Sequence, residues 1–100
     1  MTDHQRHATL PIIQSLWIGG ALSAMERLCI SSFLKNGHEF HLYTYGDVTN
    51  IPDGTTVRDG REILGEDRIC TYRNNGSYSG FSNIFRYKLL LNTGNYWVDM

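Results

Sequence analysis

The segment from residue 12 to residue 18 constrains the fold more than any other part of the chain. It reads IIQSLWI and ends at Gly19-Gly20. Its apolar character is too continuous for a strand with one face in water, because such a strand alternates apolar and polar residues. A strand covered on both faces is typical of the centre of a parallel sheet. We therefore expect a central parallel strand here.

A helix is predicted directly after this strand. Ser23 and Glu26 form the S-x-x-E pattern of a capping box, in which each side chain satisfies a backbone N–H at the helix start. An apolar face follows at three- and four-residue spacing and consists of Met25, Leu28, Cys29, Ser32 and Phe33. Asn36-Gly37 ends the helix, because Gly37 suits the left-handed conformation that follows a helix.

The remaining elements continue the alternation of strands and helices. They are a strand at 39–45, a short strand at 56–59, a helical turn at 60–64, an irregular polar loop at 68–80, a helix from 79 or 80 to 92, and a strand beginning at 96. The apolar surface of the second helix is predicted to comprise Phe81, Ile84, Phe85, Leu89 and Leu91. This pattern predicts one α/β domain with a mainly parallel sheet of about four strands, in the order 3-2-1-4, and helices on its faces.

Composition and charge exclude several classes of protein. The net charge is -1 and the basic residues are scattered, so the chain lacks the clustered Lys and Arg of a nucleic-acid binder. No apolar run approaches the roughly 20 residues of a membrane span. Residues 1–9 are polar and contain no apolar h-region, so we do not expect them to form a signal peptide.

Cysteine and histidine spacing argues against a metal site of the zinc type. Cys29 and Cys70 are far apart and lack close partners, so free thiols are expected. Free thiols suit a reducing compartment, which predicts a cytoplasmic location. His38 and His41 lie three residues apart near a strand start, and alternation should turn them to opposite faces of the sheet.

Three features of the sequence are expected at the carboxyl ends of the strands, where open parallel sheets bind ligands. The first is Trp17 followed by Ile18, Gly19 and Gly20. The indole can stack on a planar base, and glycines allow close approach of the backbone. A core tryptophan followed by a turn explains these residues equally well.

The second feature is the polar side of the second helix. Ser82, Asn83 and Arg86 share one helix face near the N-terminus, because they are three and four residues apart. The partial positive charge and free N–H groups of that end favour an anion such as a diphosphate. The alternative is a solvated helix face.

The third feature is Asp99, at the exit of the strand that begins at Tyr96. A carboxylate there can hold a divalent cation that also binds phosphate oxygens. One carboxylate is a poor metal site, and the alternative is a cap or turn residue.

Together, and in this order, the three features resemble a family of glycosyltransferases with a D-x-D motif. The resemblance is carried by residues 79–99, SGFSNIFRYKLLLNTGNYWVD, and supported by residues 12–20 and 40–45. The family includes capsular polysaccharide transferases, α-1,4-galactosyltransferases and the yeast initiating mannosyltransferase. Its pattern is roughly S-D-x-x-R-Y-x-x-L-x-x-x-G-G-x-Y-x-D-x-D.

The resemblance implies a GT-A fold that binds a nucleotide-diphosphate sugar and a divalent metal, Mn²⁺ or Mg²⁺. It implies that the sugar is transferred with retention to a glycan or other hydroxyl acceptor, with a UDP-sugar favoured over a GDP-sugar. The donor would contact Trp17, Ile18, Gly19, Ser82 and Arg86. The implied catalytic residues are Asn83, Arg86 and Asp99, and Asp99 would be the metal ligand.

The chain departs from the family pattern at three places. Asn83 stands where the family has Asp, and Asn95 replaces the second Gly of the pair. Met100 is the last of the 100 residues, so the second Asp of D-x-D is not among them. We therefore expect the 100 residues to be the donor-binding part of a longer enzyme and inactive by themselves, with the last strand an exposed edge open to self-association.

Two other functions remain open from the sequence. One is a catalytically inactive module that binds nucleotide sugars without a metal, which the amide at Asn83 favours. The other is a structural α/β interaction domain.

Overall fold

The computed structural model of the chain describes residues 10–65 and 79–100. Its elements are β1 (Ile13–Trp17), α1 (Ala24–Lys35), β2 (Phe40–Thr44), β3 (Thr56–Asp59), a 3-10 turn (Gly60–Glu62), α2 (Ser79–Thr93) and β4 (Tyr96–Trp97). The predicted loop at 68–80 falls mostly outside the described residues, and its last two residues, Ser79 and Gly80, begin α2. Cys70 also lies outside them.

The four described strands form one sheet in the order β3-β2-β1-β4, and every pair is parallel. The predicted order and direction are therefore confirmed. In β1 the first four residues are buried, as expected for a strand with neighbours on both edges and cover on both faces. The edges of the sheet are β3 and β4.

Two apolar clusters cover opposite faces of the sheet. The α2-side cluster comprises Leu16, Tyr43, Leu64, Phe81, Phe85 and Leu89, and the α1-side cluster comprises Ile13, Leu22, Ile30, Phe40 and Leu42. Neighbouring residues such as Leu42 and Tyr43 belong to different clusters, because successive side chains of a strand point to opposite faces. The chain leaves β1 towards β2 on one side and returns as β4 on the other. Right-handed crossovers then place α1 and α2 on opposite faces.

The start of α1 agrees with the sequence, but its buried face does not. In the capping box, the N–H of Ser23 donates to Oε1 of Glu26 at 2.9 Å, and the Ser23 hydroxyl donates to the same oxygen. The buried residue of α1 is Ile30, flanked by Phe33 and Leu34.

Met25 and Leu28 of the predicted apolar face are 77% and 67% exposed, so that prediction was wrong for them. Apolar residues occur around much of the circumference of α1, and the periodicity of the sequence does not select one face. The contacts with β1 and β2 select the face that carries Ile30.

Two further predictions concern the end of α1 and the apolar surface of α2. Gly37 has a φ of 93°, as predicted for the residue after a helix. In α2, Phe81, Phe85 and Leu89 are fully buried, but Leu91 is 86% exposed and does not belong to the apolar surface. Phe81, Phe85 and Leu89 follow one another at i, i+4 spacing, and Leu91 lies away from that stripe.

His38 and His41 lie on opposite faces, as predicted. His38 forms an edge-on contact with Phe33 of α1, and its Nδ1 lies 2.8 Å from the carbonyl oxygen of Pro11. His41 lies beside Glu39, with Nε2 3.0 Å from Oε1. Both contacts are structural.

Candidate functional site

The strand order reverses at β1, which lies between β2 and β4. α1, which follows β1, and α2, which precedes β4, cover opposite faces, and open parallel sheets bind ligands beyond the carboxyl ends of the strands at such a reversal of strand order. Here those strands are β1 and β4. The residues that follow them are the segment 18–20 after β1 and Asp99 after β4.

Asp99 is exposed, and its carboxylate lies on the α2 side of the sheet. Trp97, two residues earlier, packs against the α2-side cluster, whereas Val98 packs against the other one. The indole Nε1 of Trp97 donates to Oδ1 of Asp99 at 2.6 Å. The alternation of β4 therefore directs this carboxylate to the face that α2 covers.

The polar residues of α2 lie away from the stripe that packs on the sheet. Phe81 and Phe85 face the sheet, which leaves Ser82 and Arg86 half-buried and Asn83 exposed. Phe81 contacts the ring of Tyr45, just after β2, so the first turn of α2 lies at the carboxyl edge. That turn contains no acidic residue to neutralise the partial positive charge of the helix end.

Arg86 has no ion pair within residues 10–65 and 79–100. Its guanidinium lies over the ring of its neighbour Tyr87, with Cζ 5.6 Å from the centroid. Arg86 is on the helix that covers the α2 side, and Asp99 is turned to that same side. Arg86 and Asp99 therefore lie on the same side of the sheet, but they do not form an ion pair with each other.

Trp17 lies on the other face of the sheet. Its ring packs against the α1-side cluster, and its indole N–H donates to the carbonyl oxygen of Gly20 at 3.2 Å. Ile18 packs on the α2 side. Gly19 has a φ of 139°, a conformation that residues with a Cβ rarely adopt, so the turn after β1 requires glycine there. The sheet therefore separates the Trp17 ring from Arg86 and Asp99.

A groove of about 360 Å³, which was not predicted from the sequence, lies at the carboxyl ends of β2 and β3. It is lined by Thr44, Gly46, Asp47, Val57, Arg58, Asp59 and Arg61. Thr44 is the register partner of both Trp17 on β1 and Asp59 on β3. Register partners share a face, so Trp17, Thr44 and Asp59 form a row along the α1 side of the edge.

Internal ion pairs occupy the charged walls of this groove. Nε and Nη2 of Arg61 donate hydrogen bonds to the carboxylate of Asp59, at 2.8 to 3.1 Å. This hydrogen bonding from the Arg61 side chain, followed by that from its backbone N–H, lowers the pKa of the Asp59 carboxyl. Arg58 pairs with Glu62 at 3.1 Å.

A signal for the groove was present in the sequence. Asp47 follows the second strand, and Asp59 and Arg61 stand at and after the end of the third. Charged residues at the carboxyl ends of neighbouring parallel strands indicate a polar site at one edge.

The described residues do not fit a metal site. Within 10–65 and 79–100 there is no group of three His, Cys, Asp or Glu side chains that could hold an ion. Asp99 is a single carboxylate, and its Oδ1 already accepts the indole N–H of Trp97. Divalent cations in proteins need several oxygen ligands.

Comparison of the chain with protein-family models, with curated proteins and with solved structures found no match. In the described part of the chain, neither helix has the length and apolar character needed to cross a membrane.

Proposed function

We propose that the chain is the donor-binding part of a glycosyltransferase and that it binds a nucleotide-diphosphate sugar at the carboxyl edge of its sheet. The observation that supports this proposal is that the segments carrying the predicted residues all reach the carboxyl edge of the sheet, on its two faces. Trp17, Ile18 and Gly19 end or follow β1, Asp99 follows β4, and α2 begins at the same edge.

The two faces of the sheet suggest how the donor lies. The Trp17 ring is on the α1 side, in one row with Thr44 and Asp59 of the groove, where a planar base can stack and find polar groups. The turn at Gly19-Gly20 has no side chains in the way of a diphosphate. On the α2 side, Arg86 and the partial positive charge of the helix start favour an anion.

The sugar is proposed to lie beside the polar flank of α2. Ser82 and Asn83 can form hydrogen bonds with its hydroxyl groups, and Oδ2 of Asp99 can accept one. The amide of Asn83 retains hydrogen bonding but lacks the charge of the Asp that the resemblance leads us to expect. The acceptor, a glycan or another hydroxyl compound, and transfer with retention both stay part of this proposal.

Binding of a divalent cation, Mn²⁺ or Mg²⁺, stays a prediction, because Asp99 alone supplies too few ligands. The described residues do not supply the further ligands that such a cation needs. This observation favours a second candidate function, in which the chain binds the donor without a metal and is catalytically inactive. The sequence-based prediction of a cytoplasmic location also stays a prediction.

Calorimetric titration with UDP-glucose, UDP-galactose and GDP-mannose, each with and without MnCl₂, tests the proposal. Binding that requires Mn²⁺ supports the transferase. Binding that does not depend on Mn²⁺ supports the inactive module, and the absence of binding supports an interaction domain. UDP-sugars are expected to bind more tightly than GDP-sugars.

Arg86→Ala provides a sharper test of the site. We expect the dissociation constant of UDP-glucose to rise about ten-fold or more, because a hydrogen bond to a charged group contributes about 1.5–3 kcal/mol. Lys88→Ala removes an exposed cation from the same helix and is the matched control. Equal losses in the two variants would indicate general electrostatic attraction and contradict a specific role for Arg86.

A further consequence concerns β4. It is an edge of the described sheet, and Tyr96 is 61% exposed. Open apolar edge strands pair readily with other strands. We propose that the isolated 100-residue chain self-associates through β4, and a monomer in sedimentation equilibrium over the micromolar range would contradict this.

A further inference from the structure

We infer that Trp97 is a positioning residue for Asp99, an inference that rests on the proposed function of the site. The indole Nε1 of Trp97 donates to Oδ1 of Asp99 at 2.6 Å, which is short for an N–H···O hydrogen bond. Oδ1 already accepts the indole N–H, so Oδ2 is the carboxylate oxygen with more acceptor capacity left for a ligand. Asp99 would therefore contact the donor chiefly through Oδ2.

The orientation of the indole is set by α2. The ring of Trp97 lies 6.3 Å from the ring of Phe85, centroid to centroid, with an angle of 48° between their planes. Phe85 is fully buried and also contacts Tyr43 edge-on at 5.5 Å. The residue after Phe85 is Arg86. The packing that orients the indole thus connects Asp99 to α2. This helix also carries Arg86, whose guanidinium is proposed to bind the diphosphate.

The backbone before Asp99 is held by β1. The hydroxyl of Ser15, which is fully buried, donates to the carbonyl oxygen of Val98 at 2.7 Å. The N–H of Val98 donates to the carbonyl oxygen of Gln14 at 3.0 Å. The main chain and the side chain of Asp99 are therefore restrained by separate contacts.

Such restraint matters for binding. An exposed side chain loses rotamer freedom when a ligand engages it, and this loss weakens binding. A carboxylate that the indole already holds loses less. Trp97 would strengthen donor binding through this effect, without touching the donor.

Trp97→Phe tests the inference, since phenylalanine keeps an aromatic ring against Phe85 and removes the N–H. Tyr96→Phe, on the same strand but the opposite face, is the matched control. We expect Trp97→Phe to raise the dissociation constant of UDP-glucose about ten-fold and Tyr96→Phe to leave it unchanged. In an Asp99→Ala background, Trp97→Phe should have no further effect, because residues that act through one another are not additive.

Two results would overturn the positioning role when the wild-type chain binds UDP-glucose. One is equal affinity of Trp97→Phe and wild type. The other is a full additional loss in the Asp99→Ala background, which would indicate that Trp97 acts independently of Asp99.

The hydrogen bond itself is tested without ligand by ¹H–¹⁵N spectra of the indole groups. Asp99→Ala should shift the Nε1–H resonance of Trp97 and speed its exchange with solvent, while the resonance of Trp17 stays in place and reports an intact fold. An unchanged Trp97 resonance would overturn the inference whether or not the donor binds. Failure of the wild-type chain to bind any nucleotide sugar would overturn the proposed function, and the positioning role with it.

Discussion

The ring of Tyr45 occupies the space that a side chain at Gly60 would need. A Cβ built on Gly60 would stand 2.5 Å from Cε2 of Tyr45, well inside van der Waals contact. The Tyr45 hydroxyl lies 3.0 Å from the carbonyl oxygen of Gly60 and 2.5 Å from that of Leu64. One aromatic residue after β2 thus attaches the turn after β3 to the sheet, next to the groove.

Gly60→Ala should therefore destabilise the fold by about 1–3 kcal/mol, the usual cost of overpacking a filled site. The measurement is urea unfolding followed by circular dichroism. Gly20→Ala is the control, because no atom lies within 4 Å of a Cβ built there. Its effect should stay within about 0.5 kcal/mol, and equal effects of the two variants would contradict the steric explanation.

Ser15→Ala should cost about 1–3 kcal/mol, because it leaves the carbonyl oxygen of Val98 without its buried donor. The loss of stability should be largest near β4. Amide hydrogen exchange at Val98 should therefore accelerate more than exchange within α1. Ser31→Ala changes an exposed serine of α1 and should leave unfolding within about 0.5 kcal/mol of wild type. A Ser15→Ala variant as stable as wild type would show that the Val98 carbonyl does not depend on this bond.

The capping box predicts a specific pH dependence. The hydroxyl of Ser23, followed by its backbone N–H, lowers the pKa of Glu26 from its ordinary 4.5. A lowered folded-state pKa means that the unfolded chain binds more protons, so this contribution to stability is complete above about pH 4.5. It disappears as the pH falls through the folded-state pKa.

The measurement is the pH profile of stability for wild type, Glu26→Gln and Ser23→Ala. Both variants should lose stability relative to wild type at neutral pH, and the difference should shrink on acidification below pH 4.5. If the difference in the free energy of unfolding between wild type and the variants does not change on acidification, the N-cap does not stabilise the carboxylate form of Glu26.

The thiol of Cys29 should react slowly with disulfide reagents at neutral pH. Burial, and secondarily the negative charge of Glu26, raise the pKa of this thiol above its ordinary 9.0, so less of the reactive thiolate is present. The experiment uses a Cys70→Ser variant, so that a single thiol is observed. Addition of urea should raise the rate to that of an unstructured cysteine, and a fast reaction in the native state would contradict the raised pKa.

The sequence alone determined the framework of this fold. The segment IIQSLWI predicted a central parallel strand, because it lacks the alternation of apolar and polar residues that a water-facing side imposes on a strand. The capping box at Ser23 and the glycine at residue 37 predicted the ends of α1, because these are local hydrogen-bonding and backbone requirements. Alternation placed His38 and His41 on opposite faces.

Tertiary structure alone decided which surfaces meet. The periodicity of α1 allowed a face with Met25 and Leu28, but packing against the sheet buries Ile30 instead. The groove depends on how β2, β3 and the segments that follow them come together. The hydrogen bond between Trp97 and Asp99 depends on Phe85 from α2 orienting the indole. Local patterns specify elements, whereas burial and side-chain partners depend on neighbours distant in sequence, and those neighbours are known only once the elements pack.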